Sequence, residues 1–211
     1  GSWMELDIDA YTFAEIDQPD FWNWLTAAMR SFLDHTGAEP KDTASSDIEA
    51  AMRHWTEVLG VGPFYYIANM TAHGSTFRGQ PTAPQLSLAM AQSGPVQIEL
   101  IQQHNDAPSQ FLDYKKAGFE GQHHIAFWTN TFDDDVARYL REGYKILSTA
   151  SSAPNRNCFL NAQGHAGTLI EISETAGPKG EYFKRIAEVC ATWDGRDPIR
   201  RVSRMTPDVV T

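Results

Sequence analysis

The 211-residue chain is 42% hydrophobic and 21% charged, a balance that excludes wholesale disorder and suits one compact domain with an extension. Its formal charge of −10 at pH 7 repels phosphate, so neither nucleic acid nor an anionic membrane surface is an expected partner. No run approaches the roughly 18 apolar residues of a membrane span, no signal-peptide layout opens the chain, and Cys158 and Cys190 lack metal-ligand spacing. A cytoplasmic protein with reduced thiols is the expectation.

In chain order, Asp17-Gln18-Pro19-Asp20 is a helix-start signal, and Phe21, Trp22, Leu25, Ala28, Met29, Phe32 and Leu33 then recur at helical spacing. After a polar stretch around Pro40, a second amphipathic helix carries Ile48, Ala51, Met52, Trp55, Val58 and Leu59. It stops at Gly60-Val61-Gly62-Pro63, which ends a helix rather than opening one and so is no dinucleotide loop. Strands are predicted at Phe64 to Ala68, Leu86 to Ala91 and Val96 to Ile101. The pattern then repeats: a strand at His124 to Trp128, a helix from Phe132 to Glu142, and strands at Tyr144 to Leu147, Asn157 to Leu160 and Thr168 to Ile172. A terminal helix carries Tyr182, Phe183, Ile186, Val189, Cys190 and Trp193.

Two units therefore stand in tandem, and Ile98-Glu99-Leu100 near the end of the first echoes Ile170-Glu171-Ile172 at the end of the second. Carboxylates are rare inside apolar strands because burying an unpaired charge is costly. Glu99 and Glu171 each need a partner there, either a divalent cation or an arginine or lysine. For Glu171 a solvent-facing place in the strand is an equal alternative. His124 opens an apolar strand, and one imidazole with two carboxylates suits a divalent metal of borderline hardness. Strand alternation puts the neighbouring His123 on the opposite face. Arg156 and Asn157 are candidates for contact with an anionic substrate, His104 for the mouth of a cavity, and Tyr65, Tyr66, Phe127 and Trp128 for an aromatic pocket.

Four stretches resemble the vicinal oxygen chelate superfamily of glyoxalases, methylmalonyl-CoA epimerases, extradiol dioxygenases and antibiotic-resistance proteins. They are Asp47 to Trp55 with Leu59 to Phe64, then Val96 to Ile101, Gly121 to Phe127, and Gly167 to Ile172. The resemblance implies an α+β fold of two tandem βαβββ modules, curled as a half-barrel sheet around one divalent metal. The modules would cover residues 46–109 and 110–176, after an N-terminal helical extension over 1–45 and before a C-terminal helix and tail over 177–211. It further implies Glu99, His124 and Glu171 as metal ligands, zinc, nickel, cobalt, manganese or iron as the ion, a small-molecule substrate, and a homodimer.

The chain departs from this pattern at one place. The slot for the ligand on the first strand of the first module falls at Pro40, which cannot ligate. Either His35 takes that role, or Glu39 or Asp42 does, or the site has three protein ligands and water. The activity implied is that of a metal-dependent lyase or isomerase acting on a small carbonyl-bearing substrate through a metal-stabilised enolate, with Glu171 or Glu99 as base. The alternatives are an iron-dependent extradiol dioxygenase and a metal-free binding protein on the same fold.

Overall fold

The computed structural model describes the backbone of residues 3–8 and residues 48–119, 121–151, 155–161 and 169–211. The predicted helix over Phe21 to Leu33, and Pro40 with His35, Glu39 and Asp42, lie outside the described residues. The fold is α+β. The strands are β1 (Trp3–Ile8), β2 (Phe64–Thr71), β3 (Ser75–Phe77), β4 (Gln80–Thr82), β5 (Gln85–Ser93), β6 (Val96–Gln103), β7 (Gly121–Thr129), β8 (Lys145–Ala150), β9 (Asn157–Asn161), β10 (Leu169–Glu174) and β11 (Ile199–Arg201). The α-helices among the described residues are α1 (Ile48–Glu57), α2 (Gln110–Lys116), α3 (Phe132–Arg141) and α4 (Pro178–Cys190).

All eleven strands join one mixed sheet, in the order β11-β2-β5-β6-β1-β7-β10-β9-β8-β3-β4. β1 corrects the expectation of a helical extension over 1–45 at its start: Trp3–Ile8 is a strand, antiparallel to β6 and parallel to β7. The β3–β4 hairpin leaves the chain between β2 and β5, yet β3 pairs with β8 at the far end of the order. Seven strand spacings separate β2 from β8, about 34 Å across a flat sheet. The linker over residues 72–74 reaches roughly 14 Å at most. The sheet is therefore bent, with its two ends brought toward each other.

The bend gives the sheet an inner and an outer face, and the period-2 alternation of strand side chains sorts residues between them. On the outer side, α3 packs Val136 and Tyr139 against Cys158, Leu160 and Ile172. On the inner side, α4 contributes Tyr182, Phe183 and Ile186 to a core with Leu88, Met90, Ile101 and Phe159. Ile186 is fully buried, and side chains of this size contribute about 1.5–3 kcal/mol each when removed from water. Both cysteines are free, and burial raises their thiols, Cys158 to about 12 and Cys190 to about 11, so neither is a ready nucleophile.

The entry into α4 is tightly constrained. Gly177 sits at φ 79°, a left-handed conformation that suits glycine. At Gly180 a β-carbon would stand 2.2 Å from the Thr175 carbonyl oxygen. That neighbour is backbone and cannot swing away. Gly180→Ala is expected to destabilise the protein by about 1–3 kcal/mol, the usual cost of overpacking. A thermal midpoint equal to wild type would contradict this reading of the turn.

Candidate metal centre

Four strands send every second side chain into one cleft on the inner face. They are Leu86, Leu88 and Met90 of β5, Glu99 and Ile101 of β6, Asn157 and Phe159 of β9, and Glu171 and Ser173 of β10. The cleft, about 750 Å³ and open to solvent, is also lined by Phe183 and Lys179 of α4 and by the start of α2. Residues at that start are held in place. Ser109 accepts from the Leu112 amide at 2.9 Å as the helix cap and donates to Gln103 at 2.5 Å. Gln103 in turn donates to the Asn105 and Ala107 carbonyls. This clasp fixes Phe111 against the rings of His123 and Phe159, at 5.1 and 5.7 Å between centroids.

Glu99 and Glu171 are both buried, at 8% and 4% exposure, and His124 is fully enclosed, so Glu171 does not face solvent as the alternative required. His124 Nε2 stands 3.3 Å from Glu171 Oε2, and Asn157 donates its amide N–H to Glu171 Oε1 at 3.0 Å. Burial alone would raise the Glu171 carboxyl. The hydrogen bond and charge of His124, with help from Lys179 and Asn157, outweigh it and lower the group. Glu99 has less support. Burial first and the charge of Glu171 second push it up to about 7, against the pull of His124 and Lys179. In β1 the backbone of Glu5 is in register with both Glu99 and His124. Among the described residues, no three His, Cys, Asp or Glu side chains are drawn into a ready-made cage for an ion.

His123 departs from the alternation argument. The β1–β7 register skips it, pairing Met4 with Gln122 and Glu5 with His124, so β7 bulges there and two successive side chains turn the same way. As a result His123 Nδ1 lies 2.9 Å from His124 Nδ1. Burial, then His124, lowers His123 to about 3, so it is neutral. Its ring also donates to the Gln110 carbonyl. With that N–H on Nε2, His123 Nδ1 is an acceptor and His124 must donate from Nδ1. His124 Nε2 then faces the Glu171 carboxylate. At 3.3 Å the two groups are joined by a cation, either a proton on the ring or a metal.

Residues 42–159 match the Glyoxalase/Bleomycin resistance protein/Dioxygenase superfamily. The chain belongs to that superfamily. The match takes in more than half of the chain and includes Glu99 and His124. No curated protein matches the chain. In this superfamily member no helix among the described residues is long and apolar enough to cross a membrane.

Three other expectations change. Arg156 is not free for a substrate, because it clamps Glu174 at 2.9 Å and Asp133 at 2.8 Å and lies over the Phe132 ring. It ties β10 to the start of α3. His104 holds Ser87 at 2.7 Å and does not line the cleft. The aromatic wall comes from Phe111, Phe159 and Phe183, whereas Tyr65, Tyr66, Phe127 and Trp128 are absent from the lining. Lys179, which sequence reasoning missed, reaches in from α4 to Ser173 at 2.5 Å. Its only signal in the sequence is a lysine just after the Gly177-Pro178 helix start.

Proposed function

We propose that this superfamily member is a metal-dependent lyase or isomerase whose ion is held by His124, Glu171 and Glu99. The observation that carries the reading is the buried His124 Nε2 set 3.3 Å from the Glu171 carboxylate, with a second buried carboxylate, Glu99, in the same cleft as Glu171. One imidazole and two carboxylates fit zinc, nickel, cobalt, manganese or iron. Such an ion, when bound, polarises a substrate carbonyl and stabilises the enolate left by removal of the adjacent proton. His123 would fix the tautomer and direction of His124, the kind of support that buried histidine ligands receive. Glu99, which lacks the Asn157 hydrogen bond that anchors Glu171, is the better placed to leave the ion and take that proton. The two units of strand, helix and three strands are read as modules curled about this site, in a cytoplasmic homodimer as the family resemblance implies.

A second reading, a metal-free binding protein on the same fold, draws support from Lys179, which supplies positive charge to both carboxylates. Elemental analysis of the purified protein separates the two, before and after chelator and after exposure to each of the five ions. About one equivalent of metal per chain is expected, lost to chelator and regained on addition. No uptake of any of the five would overturn the metal-dependent reading in favour of the second.

A further inference from the structure

Lys179 is placed where its own helix does not want it. It is the second residue of α4, and the positive end of a helix dipole disfavours a cation in the first turn. Its ammonium lies against the Ser173 hydroxyl at 2.5 Å and 5.6 Å from the Phe183 ring centroid. Among the described residues no carboxylate oxygen comes within 4.0 Å of it. The tight turn at Gly180 holds it there, half-buried and on the cleft wall. Such a cation is built for something that enters the cleft.

The rest of the wall agrees. Ser148 Oγ and Asn157 Oδ1 are enclosed, line the cleft, and have no hydrogen-bond partner among the described residues. Asn157 is already oriented by its donation to Glu171, so its oxygen offers an acceptor to an incoming hydroxyl or N–H. Other parts of the lining, with Leu88, Met90, Ile101 and Phe159, are apolar. Charge decides the sign of the ligand. Glu99 and Glu171 are two negative charges against one from Lys179, and a divalent ion leaves the cleft with one net positive charge. In a half-buried site that charge is expensive to leave unmatched.

We propose that the substrate is an anion, presenting vicinal oxygens to the Glu99, His124 and Glu171 corner and a separate carboxylate to Lys179 and Ser173. The assignment rests on the metal-bearing reading, because without the ion the cleft is net negative and rejects anions. Lys179 is then a specificity-determining residue: its charge-assisted bond selects molecules with a second carboxylate over analogues that end in a methyl group.

The test is calorimetric titration of the nickel-loaded protein with 2-oxoglutarate and with 2-oxopentanoate. The two share five carbons and the 2-oxo acid end, and differ in the far carboxylate. Wild type is expected to bind 2-oxoglutarate at least ten-fold more tightly, and Lys179→Met to abolish that preference while keeping its nickel. Nickel binding without preference in wild type, or a preference that survives in Lys179→Met, overturns the assignment and leaves the metal site standing. A lysine that served only to support Glu99 and Glu171 would change stability and leave the ratio between the two ligands unmoved, which counts against the proposal. Failure to bind nickel or the other four ions removes the metal-dependent reading and this assignment with it, an outcome that the metal titration separates from loss of the ligand preference alone.

Discussion

Replacing Glu171 with Gln is expected to cost the protein its metal while sparing its fold. Gln has the same shape and can still accept the Asn157 amide hydrogen bond made at 3.0 Å to Oε1. What it loses is the charge, and with it the anionic partner that His124 Nε2 faces at 3.3 Å. Loss of a group that merely supports a ligand weakens metal binding about 10–100-fold. Loss of a buried charged ligand should therefore exceed about 100-fold, and any turnover should vanish with it. The measurement is a metal competition titration beside circular dichroism. Unchanged affinity in a folded Glu171→Gln protein would remove Glu171 from the ligand set and with it the basis for the lyase or isomerase reading. The same substitution also withdraws the negative charge that raises Glu99, so the Glu99 carboxyl should fall toward its ordinary value.

Glu99, His124 and Glu171 could be picked out from the sequence because each breaks a local rule. A carboxylate in an apolar strand has few reasons to be there, and two of them in echoing positions narrow those reasons further. His123 could not be read in the same way. Alternation is a property of a regular strand, whereas the bulge that turns His123 beside His124 is set by the register with β1, some 115 residues away in the chain. β1 itself was legible, since Met4, Leu6 and Ile8 alternate with Glu5 and Asp7, but the stronger helical pattern after Pro19 drew the whole segment into a helical extension. α2 carried its own signal in Ser109 followed by Phe111 and Leu112. Lys179 is the more telling omission. The amphipathic pattern of α4 fixes its buried stripe around Tyr182, Phe183 and Ile186, yet nothing in that pattern says that the helix start leans over the cleft. That depends on the turn from Thr175 to Gly180 and on the bend of the sheet beneath it.

The Glu99 carboxyl is expected to cost the metal-free protein stability as pH rises toward 7, measured against Glu99→Gln, and added metal is expected to offset that loss. Glu99 is held at about 7 in the folded chain against 4.5 as its ordinary value, so between these values the folded state keeps a proton that the unfolded chain has released. Stability from this group is fully present below about 4.5 and declines as pH climbs toward 7. Over that window the loss amounts to roughly 3 kcal/mol, at about 1.4 kcal/mol per pH unit. Glu171 acts in the opposite sense: its lowered carboxyl contributes stability above its ordinary value that is lost only as pH falls through the lowered one. The Glu171 window lies below that of Glu99, but His123, lowered from 6.5 to about 3, adds stability as pH rises toward 6.5, so the share of Glu99 is the difference between wild type and Glu99→Gln. A bound divalent ion reverses the balance, because a carboxylate ligand must give up its proton. Metal affinity should thus weaken by about ten-fold for each unit that pH drops below 7, and the stabilisation by added metal should be larger at pH 8 than at pH 5.5. Thermal melts at those two pH values, with and without nickel, test both halves, and the difference between wild type and Glu99→Gln isolates the share of Glu99 in the metal-free profile. A difference between metal-free wild type and Glu99→Gln that is level from pH 5.5 to 8, or that rises in favour of wild type, would mean that Glu99 is solvated and ionised in the cleft, and would shift the role of proton acceptor away from it.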